Sequence, residues 1–120
     1  MFLVPIGVKV LVTWLPLCAV RVPFSRVIVV GRFFLPLPEA EQDAIIAHEY
    51  GHIRLHSLAR RTFDTWALGL RGMLHQHEFE ADAFAARLGY AEPLAAYLSR
   101  SRDDPLHPPI AERVSRLRSA

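Results

Sequence analysis

Val8, Val10 and Val12 alternate with Lys9, Leu11 and Thr13 near the start of the chain. A period of two sends alternate side chains to opposite faces of a strand, so residues 6–13 are expected to form one. A second strand is expected at 26–35, where Val27-Ile28-Val29-Val30 is β-branched throughout. Gly31 is expected to mark a bulge or turn, and Pro36 and Pro38 to stop the strand. Beyond Pro38 the spacing becomes helical. Ile45, His48, His52, His56 and Ala59 fall on one face, which predicts a helix from Pro38 to about Arg60. Pro38 suits its first turn, and Glu39 and Glu41 favour its N-terminus. A short amphipathic helix is expected over 62–74, loosened by Gly69 and Gly72. Another carries Glu78 and Asp82 and ends at Gly89. A further helix is expected at 92–100, with Pro93 at its start. Asp103-Asp104-Pro105 reads as a loop. A last helix begins at Pro108 or Pro109 and aligns Ile110, Val114 and Leu117. Strands followed by helices make an α+β fold, and 120 residues make a single domain, 1–120.

Composition changes the picture only slightly. Hydrophobic residues make up 52% of the chain, enough for a core into which Trp66, Phe79 and Phe84 are expected to pack. Tyr50 is expected to do no more than fill out its helix. The stretch Met1–Val20 is apolar, but Pro5, Lys9, Thr13 and Pro16 interrupt it, whereas a spanning helix needs about 20 apolar residues. It also lacks the plan of a signal peptide. A peripheral membrane contact through residues 1–20 stays open, so the expected location is cytoplasmic or membrane-associated. The net charge is +2, and no basic run carries interleaved aromatics, so nucleic acid is not an expected partner. Arg113, Arg116 and Arg118 read first as a solvated helix face. Cys18 is the lone cysteine, which excludes an internal disulfide, and it is expected to be a small buried hydrophobe.

The chemistry lies in His48-Glu49-Tyr50-Gly51-His52, an HExxH motif. Residues four apart on a helix leave the same face about 6 Å apart, so both imidazoles can grip one metal ion. Glu49 then sits beside the first ligand as a general base for a metal-held water. Catalytic zinc takes three protein ligands and leaves one position open. An extended HExxHxxGxxH plan is excluded, because Leu55 and Leu58 stand where its glycine and histidine would be. The alternative plan takes a glutamate from a second helix. Glu78 and Asp82 share one helical face, with small Ala81 and Ala85 flanking it for close packing. Glu78 is the expected third ligand, and Asp82 is expected to hold a ligand imidazole by its free N–H. Glu80 lies about 200° around that helix from Glu78 and is expected to point away. His75 and His77 are expected at the surface. His56 lies one turn further along the ligand face and is expected to pack behind the site. As a fourth ligand it would instead close the site to water.

HEYGH followed by EFEADAFAARLG resembles the HtpX-like and CAAX prenyl endopeptidase family of gluzincin metalloproteases, whose signature is HExxH with a later ExxxD. His107-Pro108-Pro109-Ile110-Ala111-Glu112-Arg113 resembles that family's HPPxxxR segment, and residues 24–47 resemble the strand and helix leading into its active site. The resemblance covers roughly residues 24–118 and implies a zincin-like core, with the small sheet packed on the two motif helices. It implies that His107 and Arg113 face the substrate and steady the oxyanion, and that an extended protein or peptide substrate adds to the strand at 26–34. Larger members carry a membrane helix pair between the two motifs. Residues 53–77 hold no such pair here, so the chain reads as a minimal catalytic core. The expected function is zinc-dependent peptide hydrolysis with one zinc ion per chain. The alternative is a non-catalytic zinc-stabilised interaction module, or a latent protease that needs a partner.

Overall fold

The structure is a computed structural model that describes residues 4–119. The first three residues of the expected N-terminal contact stretch therefore lie outside the described region. Among the described residues, three strands precede four helices, an α+β arrangement.

Strands β1 (Lys9–Val12), β2 (Ala19–Arg21) and β3 (Val27–Val30) form one sheet in the order β1-β3-β2. β1 runs parallel to β3, with Lys9 opposite Val27, and β2 runs antiparallel to it, with Ala19 opposite Val30. Alternation along β3 buries Ile28 and Val30 completely against the helices. β2 was not anticipated, because three residues after Pro16 offer too little alternation to read. Its presence overturns one expectation. β3 is the central strand, paired on both sides, so it has no edge to offer a substrate. The edge beside the helices belongs to β2. Cys18 accepts from Gly31 N–H, and Val22 N–H donates to Val27, so by antiparallel alternation Ala19 and Arg21 turn their backbone groups outward. Gly31 ends β3 rather than bulging it. A Cβ there would strike the carbonyl oxygens of Leu15 and Leu17, which cross directly above it.

Helix α1 (Glu39–Leu55) lies between two apolar clusters. Ile45 and Ile46 meet Ile28, Val30 and Phe34 from the sheet. Ala44 and Ala47 meet Ala85, Leu94, Leu98 and Leu117 from the other helices. α1 stops five residues short of the expected end at Arg60. Ser57 caps a new helix there by accepting from Arg60 N–H at 3.2 Å. That helix, α2 (Leu58–Arg87), joins the two segments expected separately and breaks only at Gly69 (φ 78, ψ 166), a conformation open to glycine. Gly89, at φ 94, terminates it as expected, with Tyr90 N–H reaching back to Ala85. Helices α3 (Ala91–Ser99) and α4 (Ile110–Ser119) complete the fold.

Small residues bring α1 and α2 together. Ala81 and Ala85 are fully buried, and a Cβ on Gly51 would lie 3.1 Å from that of Phe84. Tyr50 packs edge-on against Phe84 with ring centroids 5.7 Å apart, so it does more than fill its helix. Trp66 is not core. It is 84% exposed on the outer half of α2 beside Phe63 and Leu70. Phe79 is half-buried beneath the guanidinium of Arg116, 3.6 Å from its ring centre. Among the described residues, no helix is long and apolar enough to cross a membrane.

Candidate metal centre

The middle of α1 and the middle of the second half of α2 meet across a shallow gap. His48 and His52 enter it from α1, and Glu78 enters from α2. One ligand atom from each lies within 4.8 Å of the other two. His48 Nε2 is 2.9 Å from Glu78 Oε2, and His52 Nε2 is 3.5 Å from Glu78 Oε1. These side chains are only 8%, 12% and 14% exposed, so little water competes for the shared point. Glu78 Oε2 is buried with no aligned hydrogen-bond donor, despite its short approach to His48. A buried carboxylate oxygen without an aligned donor needs positive charge beside it, which His48 and Arg113 supply at 2.9 and 3.6 Å and which a metal ion would also supply. Two imidazole nitrogens and one carboxylate oxygen converging on a point match the ligand chemistry of zinc.

The surrounding groups sort into distinct tasks. Glu49 is 4.0 Å from His48 Nε2 and faces the same opening. Burial pushes its carboxyl upward, against the pull of His48 and His52. Asp82 Oδ1 lies 2.9 Å from His48 Nδ1, behind the ligand face. Burial would raise Asp82, but Arg113 and His48 overcome it and hold the carboxyl below its usual range. Arg113 Nε and a terminal nitrogen each donate to Asp82 at 2.8 Å. Arg113 is 6% exposed, so it is no part of a solvated face with Arg116 and Arg118. Its guanidinium spans Asp82 and approaches Glu78 Oε2 at 3.6 Å. Arg113 also lines the cleft that His107 borders. His107 stands at the mouth, 3.4 Å from Glu78 and 2.7 Å from Asp104.

An open cleft of about 260 Å³ leads to this point. His48, Glu49, Glu78 and His107 form its polar floor. Ile45, Leu94 and Tyr97 form an apolar wall, and Cys18 and Ala19 bring the start of β2 to its rim. Comparison with family models, with curated proteins and with solved structures finds no match.

Behind His52 lies a second cluster that the sequence reading missed. His56 is fully buried and sits at the C-terminal cap of α1, outside the His48–His52–Glu78 group. Its Nδ1 is 2.9 Å from His52 Nδ1, and its Nε2 is 2.9 Å from Glu80 Oε1. Burial, opposed by Glu80, pushes His56 down to about 3, so the ring is neutral. Glu80 does turn away from the converging ligands, but it turns toward a partner. His77, expected at the surface, is 1% exposed and stacks on His56 with centroids 3.8 Å apart. Arg21 reaches from β2 to donate to the carbonyls of His52 and His56, at 3.1 and 2.9 Å, which ties off the end of α1. The repeat of histidine at 48, 52 and 56 was the available signal for this cluster. Its partners come from residues 60–80 and could not be paired with it by spacing.

The charges around His48 set a pH dependence. Burial would lower His48, yet Glu78 and Asp82 outweigh it and hold the imidazole well above the usual histidine value without a metal. The Glu78 contact likewise lifts His107 to about 9, against some burial and with help from Asp104. A metal can take His48 only when Nε2 has no proton, and it removes the Glu78 charge that favours protonated His107. Zinc loading near neutral pH should therefore release about one to two protons, and affinity should fall as pH falls. Calorimetry in buffers of different ionisation enthalpy measures this directly. Loading with no proton release would contradict the assignment of His48 as a ligand.

Proposed function

We propose that the chain is a zinc-dependent endopeptidase with a zincin-like core of the HtpX-like kind. The observation that carries this reading is the convergence of His48, His52 and Glu78 within 4.8 Å, with Glu49 beside them at the floor of an open cleft. His48, His52 and Glu78 would hold the zinc, which would supply Lewis-acid polarisation of a carbonyl and acidify the attacking water.

The chain's own residues do the rest. Glu49, partly buried and with its carboxyl raised, takes a proton from the attacking water and returns it to the leaving amine. His107 stands at the mouth, 3.4 Å from Glu78, and its ring N–H is the group in reach to donate to charge developing on the scissile carbonyl oxygen. Asp82, gripped by Arg113, holds the His48 ring in the orientation that turns Nε2 to the metal. Arg113 thus acts as a positioning residue, through Asp82. The extended substrate lies in the cleft beside the start of β2, where Ala19 turns its backbone groups outward, and not along β3, which is paired on both sides. The apolar wall beside Tyr97 and Leu94 takes a side chain of that substrate.

The test is cleavage of an unfolded polypeptide by the zinc-loaded protein, with and without a chelator. Hydrolysis that stops with chelator and returns with zinc is the expected result. Zinc bound with no hydrolysis of any unfolded substrate would favour a structural zinc module.

A further inference from the structure

We infer that His56 and Glu80 form a buried relay that fixes the tautomer of the His52 ligand and backs it with a negative charge. The inference rests on the zinc reading of the neighbouring site. It assigns work to a cluster for which that reading has no use.

The proton positions follow from the contacts. Arg60 donates to both oxygens of Glu80, at 2.6 Å to Oε1, and Gln76 donates to Oε2 at 3.2 Å. Glu80 is thereby held as an ionised carboxylate, which can only accept. Its Oε1 lies 2.9 Å from His56 Nε2, so that nitrogen must carry a proton. His56 is fully buried and Arg60 already balances the Glu80 charge, so the ring carries that one proton and keeps a lone pair on Nδ1. That lone pair faces His52 Nδ1 at 2.9 Å, so His52 must carry its own proton on Nδ1. The remaining nitrogen of His52, Nε2, is left with its lone pair toward Glu78 and the shared point. Among Glu80, His56 and His52, any other arrangement of neutral rings sets two acceptors or two donors against each other, and the one like pair this arrangement leaves, His52 Nε2 and Glu78 Oε1 at 3.5 Å, is the pair a cation would satisfy. The chain of contacts from Arg60 inward thus selects the one tautomer that a metal can use.

The rest of the cluster holds the relay still. His77 stacks flat on His56, with an interplanar angle of 0°, and Asp64 lies 2.7 Å from His77 Nε2. His56 is fully buried, so water does not compete for its nitrogens. Both histidine ligands are then backed by an ion-paired carboxylate. For His48 it is Asp82 with Arg113, in direct contact. For His52 it is Glu80 with Arg60, with one imidazole interposed.

A second metal ion is the rival use of the cluster, since His56, His77 and Glu80 also bring ligand atoms within 4.8 Å. Two features oppose it. Arg60 already neutralises Glu80. Imidazole lone pairs lie in the ring plane, and the parallel planes of His56 and His77 do not meet at one ion.

The experiment combines nitrogen-15 NMR of histidine-labelled wild type with zinc titration of wild type, His56→Phe and Glu80→Gln. The expected result is one zinc per chain, with His52 protonated at Nδ1 and His56 at Nε2. Both variants should bind zinc about 10–100-fold more weakly. Wild-type affinity in folded variants, or a wild-type His56 protonated at Nδ1, would overturn the relay alone. A second zinc equivalent lost in His56→Phe would replace the relay with a metal site. A wild type that binds no zinc would overturn the parent reading and the relay's role with it. Glu80→Gln keeps the shape of the cluster, and the NMR needs no variant, so unfolding of His56→Phe leaves the test intact.

Discussion

Glu49→Gln should bind zinc as tightly as the unaltered chain and lose about 10²–10⁴-fold in turnover. The two halves of that expectation come from separate features. Glu49 is not one of the three converging groups, so the amide should leave the ligand set untouched. It does sit at the cleft floor, 4.0 Å from His48 Nε2, where an attacking water must lose its proton. A carboxylate can take that proton and an amide cannot. The substitution preserves shape and removes a partly buried charge, so the fold should not suffer. Steady-state cleavage beside a zinc titration measures both quantities. Full turnover in the variant would remove Glu49 from the mechanism.

Arg113→Leu should have the largest effect on stability, about 3–5 kcal/mol. Asp82 is 4% exposed, and Arg113 supplies two of its hydrogen bonds. Removing the guanidinium leaves a buried carboxylate facing only His48. The folded-state pKa of Asp82 is depressed, so its stabilising contribution is present above its unfolded value and is lost as pH falls through the folded one. The gap between the unaltered chain and the variant should therefore be widest near neutral pH and narrow below about pH 4, where unfolded aspartate is protonated. Urea unfolding of the metal-free proteins across that range measures the gap. A loss under about 1 kcal/mol at neutral pH, as for a surface pair, would show that Arg113 does not anchor Asp82. The same variant should bind zinc more weakly, because His48 loses its support.

The local elements that carry chemistry were largely legible in the sequence. HExxH spacing puts His48 and His52 on one face of α1 whatever surrounds them, and ExxxD does the same for Glu78 and Asp82 on α2. The alanines between them announced close packing. What stayed hidden depends on contacts between distant segments. β2 is three residues long, and only its pairing with β3 defines it. That pairing puts β3 in the centre of the sheet and leaves it no free edge. The end of α1 turned on Ser57, whose capping role competes with a continuous run of helix formers. Trp66 and His77 were misassigned to core and surface because α2 turns its outer half away from the body and its inner half into it. Gly69, where that helix breaks, showed only a loosening. Arg113 was read first as one of three exposed arginines, and its burial follows from Asp82 on another helix. The His56–Glu80 contact joins residues 24 apart, beyond any single helical face.

The proposed zinc site needs His48, His52 and Glu78 to act together. Metal content of the purified chain beside Glu78→Ala, with cleavage of an unfolded substrate followed in both, tests it most directly. One zinc per chain is expected, with zinc and cleavage both lost or sharply weakened in the variant. Zinc retained at full affinity without Glu78 would mean a different ligand set and would overturn the proposed three-ligand site.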